Sequence, residues 1–164
     1  MEQIVIYIRL EKYLAEWLTH SLGDPVKFPS QSNENAVIRA FLQQVPKGAK
    51  PQTGGDGFTA IVIPESKAKP PEKWHYLGPK GQDAVREAIK DLFTQNLWSD
   101  LSRLENTRIG VNTRIAAWCE MHGIGLDRVE TVRQRYYRIR DAYTRRGINL
   151  QNSARKKSDK PPEF

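Results

Sequence analysis

The chain opens on a period-two pattern. In Gln3 to Arg9, QIVIYIR, residues Ile4, Ile6 and Ile8 share one face while Val5 and Tyr7 occupy the other, which predicts a strand that is apolar on both sides. The spacing then turns helical. Leu10, Leu14, Trp17, Leu18 and Leu22 form one stripe, and Gly23-Asp24-Pro25 stops it. Val26 to Phe28 reads as a short extended piece, and Ser30 or Ser32 caps a second helix through Ala36, Val37, Ala40 and Phe41, ended by Pro46. Lys47 to Gly57 holds turn formers and predicts a mobile loop or hairpin connection. Phe58 to Ile63, FTAIVI, is the second strand. Pro64, Pro70, Pro71 and Pro79 then mark an extended linker anchored by Trp74 and Tyr76.

Beyond the prolines the period is helical throughout. Val85, Ile89, Leu92, Leu97, Leu101 and Leu104, widened by Phe93 and Trp98, predict one long helix over Gly81 to Leu104, broken over Asn106 to Gly110. A second helix is expected from Thr113 to His122, with Asn112 as its cap and Gly123 just past its end. A third runs from Arg128 to Arg146. It opens on Asp127-x-x-Glu130, a capping-box spacing, and closes at Gly147. The expected organisation is a small α/β portion over 1–64, a Pro-rich linker over 65–79, a helical portion over 80–148 and a disordered basic tail over 149–164. The fold class is therefore α+β, with no internal repeat and no sustained heptad run.

Charge sharpens this picture. The 164 residues carry 26 Lys+Arg against 19 Asp+Glu, a formal net charge of +7. Residues 128–146 hold seven arginines (128, 133, 135, 138, 140, 145 and 146), no lysine, and only Glu130 and Asp141 in opposition. Guanidinium makes forked contacts to phosphates and to guanine edges, whereas ammonium acts as a point charge. A clustered cationic face is the footprint of a polyanionic partner. No apolar run approaches the roughly 18 residues of a membrane helix, and Met1 to Tyr13 lacks the order of a secretory signal. A single cysteine excludes an internal disulfide framework. The expectation is a cytoplasmic protein of a reducing compartment.

The segment that concentrates these signals is Ile115 to Ile139, IAAWCEMHGIGLDRVETVRQRYYRI, two helices joined at Gly123-Ile124-Gly125-Leu126. It resembles the helix-turn-helix DNA-binding family over 25 to 30 residues. Cys119 fills the small-residue place four before the turn glycine. Ile124 follows that glycine, and Val129 and Val132 stand six and nine positions after it. The sequence departs from the family pattern at Gly125, where a Ser or Thr cap is common, and at the bulky Trp118. The third helix is also longer than the usual recognition helix. A looser likeness over the whole chain, carried by Trp74-x-Tyr-Leu, by Asn96-Leu-Trp-Ser-Asp-Leu101 and by the Arg-rich final helix, is to small proteins of bacterial prophages and transposable elements.

At about 100° per residue, Val129, Val132, Tyr136, Ile139 and Tyr143 share one face of the third helix and should pack inward. The resemblance implies that this helix enters the major groove by its N-terminal part. Thr131, Gln134 and Arg138, which point outward, are the base-reading candidates; Gln pairs with adenine at two points, and Arg138 can also hold phosphate. Arg128, Arg133, Arg135, Arg140 and Arg145 would hold phosphates, joined by Arg108 and Arg114 from the preceding turn and helix. Tyr137 is placed to stack on a sugar or base. The implied role is double-stranded DNA binding, as a transcriptional regulator or accessory factor of a mobile element. The chain would act as a homodimer joined through the N-terminal portion or the helix over 81–104. The N-terminal portion is also open to a protein partner.

Other chemistries find less support. Cys119 and His122 lie three apart, but His20 and His75 have no spacing partner and a zinc site needs four ligands. Gly54-Gly55-Asp56-Gly57 has no helix after it and is a turn, not a phosphate cradle. Tyr136 and Tyr143 belong to the core stripe, not to strand-exchange chemistry. No enzyme, cofactor or metal is implied. The rival readings are an adaptor or phage structural component that meets acidic protein with the Arg-rich helix, and an RNA-binding protein that stacks bases on Tyr137.

Overall fold

A computed structural model of the chain describes residues 3–50, 52–103 and 108–145. Arg146, the expected end of the third helix, Leu104, Asn106 and the tail from 149 lie outside the described residues. The architecture is α+β. In chain order it runs β1 (Val5–Arg9), α1 (Lys12–Leu22), α2 (Asn33–Phe41), β2 (Leu42–Gln43), β3 (Phe58–Val62), β4 (Tyr76–Leu77), α3 (Pro79–Ser102), α4 (Val111–Met121), a short 3-10 turn (Leu126–Arg128) and α5 (Val129–Arg145). The chain divides into two compact units, Met1–Leu92 and Phe93–Phe164.

In the first unit β1 and β3 pair antiparallel from Val5↔Val62 to Arg9↔Phe58. Alternation puts Ile6, Ile8, Thr59 and Ile61 on one buried face, since Ile6↔Ile61 and Ile8↔Thr59 are cross-strand partners. Val26 runs parallel along the far edge of β3: its N–H donates to Ala60 O and its carbonyl accepts from Val62 N–H, each at 2.8 Å. The helix α1 buries Leu14, Trp17 and Leu18 of the expected stripe together with Tyr13, which lies outside it; Leu10 is buried just before the helix and Leu22 is half-buried at its end, and the helix stops at Gly23, whose φ of 87° is left-handed. Of the two expected caps, Ser32 serves α2: its Oγ accepts from Asn35 N–H at 3.2 Å.

The proline segment, expected as an extended linker anchored by Trp74 and Tyr76, also carries strand pairing. Tyr76 and Leu77 form β4, paired with β2 through Leu42↔Leu77 and Gln43↔Tyr76. Lys69 Nζ donates to the carbonyls of Arg39 at 2.6 Å and Leu42 at 3.2 Å, giving donors to acceptors left open at the end of α2, and lies 5.1 Å from the centre of the Trp74 ring. The segment is thus fastened within the first unit, whose boundary falls inside α3 and not at the prolines. Two-residue strands carry no alternation to read, so the pairing leaves no mark in the sequence pattern.

The long helix α3 begins at Pro79, two residues earlier than the hydrophobic stripe indicates. Proline at a first helical turn removes only an N–H that has no helical partner there. Its Val85, Ala88 and Ile89 belong to the first unit's core, and Phe93, Leu97, Trp98 and Leu101 to the second's. In the second unit these last four are buried along with Ile115, Trp118 and Cys119 of α4, Ile124 of the turn, and Val132, Tyr136 and Ile139 of α5. The aromatic contacts set the spacing: Phe93 meets Trp118 edge-on at 5.6 Å, and Trp98 lies 5.6 Å from Tyr136 and 5.1 Å from Tyr143.

Candidate nucleic-acid interface

The turn between α4 and α5 is built from its glycine. Gly123 sits at φ 74°, a conformation with little Cβ strain only for glycine. Its N–H donates to Glu120 O at 3.3 Å, and Ile124 N–H donates to Cys119 O at 2.9 Å. This crossed pair of bonds is a Schellman closure, and Cys119 and Ile124, at the two positions where such closures favour apolar residues, are both buried. The burial that suits Cys119 to this place pushes its thiol up to about 11.

The entry to α5 differs from the expected capping box. Gly125 is the N-cap of the 3-10 turn and offers no side chain. The Glu130 carboxylate instead accepts from Arg133 Nη2 at 2.6 Å and, weakly, from Gln134 Nε2 at 3.5 Å. On α4 the cap is Gly110, not Asn112. Asn112 lies within the helix, where its Oδ1 accepts from the Tyr137 hydroxyl at 2.9 Å.

The expected core face of α5 is present. Val132, Tyr136 and Ile139 are buried, and Val129 and Tyr143 are half-buried on the same stripe. Of the base-reading candidates, Thr131, Gln134 and Arg138 are all exposed. Arg108, Arg140 and Arg145 are exposed and Arg135 is half-buried; none of these, nor Arg138, has an ion pair among the described residues. Arg128 pairs with Asp127 at 3.0 Å. Arg133 is held by Glu130, whose hydrogen bond and charge push the guanidinium above its ordinary range, so a phosphate would have to displace that carboxylate.

Two candidates require correction. Arg114 is buried: its Nη1 donates to Leu101 O at 3.2 Å, serving a carbonyl in the last turn of α3. It is a structural arginine and cannot hold phosphate without leaving the core. Tyr137 is not a free platform. Its hydroxyl is engaged by Asn112, Arg140 lies 4.6 Å from its ring centre, and Tyr136 meets it edge-on at 5.8 Å.

The periodicity also passed over Met121 and Leu126, exposed apolar side chains on either side of Gly123. The signal available for Leu126 is its place three residues after the turn glycine, outside the valine and tyrosine stripe. Behind the turn, Trp118 Nε1 donates to Asp100 Oδ2 at 2.9 Å, and the His122 ring lies 4.2 Å from Trp118, with Nε2 3.8 Å from the same carboxylate. Among the described residues no group of three His, Cys, Asp or Glu is placed to hold a metal ion, and no helix is long and apolar enough to cross a membrane. Comparison with protein-family models, with curated proteins and with solved structures gave no match to this chain.

Proposed function

We propose that this chain binds double-stranded DNA, with α4 and α5 acting as a helix-turn-helix and α5 as the recognition helix. The observation that carries the reading is the division of α5 into two faces. Val132, Tyr136 and Ile139 hold it in the core, while Arg138, Arg140 and Arg145 project to solvent without acidic partners among the described residues. Thr131 and Gln134, exposed along the N-terminal half, offer the hydrogen-bonding groups that base edges require. The biological role that fits is a transcriptional regulator or accessory DNA-binding factor of a mobile element. A homodimer would place two such helices on half-sites roughly 34 Å apart, one turn of the duplex.

The test is fluorescence anisotropy with a random-sequence 30-base-pair duplex at a series of salt concentrations, against single-stranded DNA and double-stranded RNA competitors. If Arg108, Arg135, Arg138, Arg140 and Arg145 each neutralise one phosphate, log Kobs should fall with log[salt] at a slope of about −4.5, since each contact contributes roughly −0.9. Affinity would then drop about 500-fold between 50 and 200 mM salt. A slope near zero, or RNA competing better than DNA, rejects the reading.

A further inference from the structure

We infer that Leu126 reads a pyrimidine 5-methyl group in the major groove, which in unmodified DNA is that of thymine. The inference rests on the DNA-binding reading above and names the chemical feature of the duplex that the entry to α5 recognises. Leu126 is 89 % exposed and Met121 71 %, the two highest values among the large apolar side chains described. A single exposed leucine is ordinary. What distinguishes this one is that its backbone is fixed. Two residues earlier Ile124 is buried and bonded to Cys119; two residues later Arg128 N–H donates to Gly125 O at 2.9 Å; and Val132 locks the helix that follows. The side chain therefore stands out from a rigid turn.

Its position is the first residue of the 3-10 turn that leads into α5, at the end of the element that carries the unpaired arginines. A recognition helix meets base edges with its N-terminal residues. Base edges in the major groove present hydrogen-bonding groups and a single kind of apolar feature, the C5 methyl of thymine. An aliphatic side chain there cannot satisfy a base donor or acceptor and can only gain by covering that methyl. A 5-methylcytosine would offer the same surface, so the chemistry recognised is the methyl and the experiment separates its two sources.

The full chain is used to enrich a duplex from a random pool. The enriched duplex is then remade with deoxyuridine replacing thymine one step at a time, and with cytosine methylated or unmethylated at C5. Wild type, Leu126→Ala and Met121→Ala are compared by anisotropy. Wild type should lose about fourfold in affinity at one pyrimidine step when its methyl is removed, the factor that burial of one methyl corresponds to. Leu126→Ala should bind both forms of that step equally, and Met121→Ala should keep the wild-type difference. If wild type is indifferent to the methyl at every step, or if Leu126→Ala retains the difference, or if Met121→Ala erases it, the assignment is overturned while salt-dependent duplex binding leaves the wider reading standing. If no duplex is bound, both fall together.

Discussion

Replacing Arg114 separates the arginines that build this protein from those proposed to contact DNA. By sequence it belongs with the phosphate-binding set; in the structure it is 8 % exposed and donates from Nη1 to Leu101 O at 3.2 Å. That bond serves a carbonyl at the end of α3, where no helical N–H remains to bond it and the partial negative charge of the helix terminus favours a cation. A hydrogen bond from a charged group contributes about 1.5–3 kcal/mol. The aliphatic stem adds about 0.8 kcal/mol for each methylene kept from water. Burial of the guanidinium opposes both by several kcal/mol in principle, and Arg114 Nε is buried with no hydrogen-bond partner among the described residues. The balance predicts that Arg114→Ala costs about 2–3 kcal/mol, whereas Arg114→Met, which keeps the stem and removes the buried charge, costs about 1 kcal/mol or less. Urea unfolding followed by the fluorescence of Trp98 and Trp118, both in the second unit, measures the difference. For folded protein the salt slope of duplex binding should be unchanged. An Arg114→Ala variant of wild-type stability whose slope falls by about 0.9 would refute the argument and return Arg114 to the DNA-contacting set.

Arg138→Ala should behave in the opposite way, with unchanged unfolding and a salt slope shallower by about 0.9; a stability loss above roughly 1 kcal/mol would show that its exposed side chain has a structural role. Gly123→Ala forces a Cβ into the left-handed region at φ 74° and should lower stability by about 1–2 kcal/mol, with Gly123→Asn milder, both read by thermal unfolding. The Cys119 thiol, pushed up to about 11 by burial, should react with a disulfide reagent at pH 8 only on unfolding, so its native rate should follow urea concentration. The sign of its pH effect follows from the same shift. The unfolded thiol ionises near its ordinary value of 9.0 and the folded one at about 11, so its contribution is complete below pH 9 and is lost as pH rises between the two. Cys119→Ala should therefore show a smaller fall in urea midpoint from pH 9 to 11 than wild type, and equal falls would refute the assignment.

The elements legible in the sequence are those whose pattern and packing agree. Ile6 and Ile8 alternate because one face of β1 is buried, and the stripe from Val132 through Tyr136 to Ile139 marks the inner face of α5. β2 and β4 were hidden because a two-residue strand has no period. The capping box failed because residue types at the right spacing do not fix the path of the chain. A 3-10 turn precedes α5, and the Glu130 carboxylate is bonded to Arg133 instead. Arg114 shows a different gap. Arg114, Ile115, Trp118 and Cys119 stand at i, i+1, i+4 and i+5, the spacing of one helical face, and all four are buried. The periodicity therefore held the information, and treating arginine as a surface residue by type concealed it. Tyr137 required the structure itself, because its engagement comes from Asn112 on another helix.

The distribution of charge on α5 supports a polyanionic partner more strongly than its total does. Arg133 and Glu130 form a pair that a solvated helix would make for its own sake, and Arg128 and Asp127 are similarly matched. Arg135 and Arg138 stand three apart, a spacing at which like charges repel by about 0.2–0.5 kcal/mol on a helix surface. Farther along, Arg145 adds another exposed cation without an ion pair among the described residues. Folding gains nothing from that repulsion, and the aromatic core formed by Trp98, Tyr136 and Tyr143 is what allows the helix to carry it. A neighbouring line of phosphates would convert the repulsion into attraction, and a duplex offers one about every 1.7 Å along its axis. Paired arginines near the start of α5 and unpaired ones farther along are the arrangement expected when its entry must stay ordered for base contacts while the remainder grips the backbone.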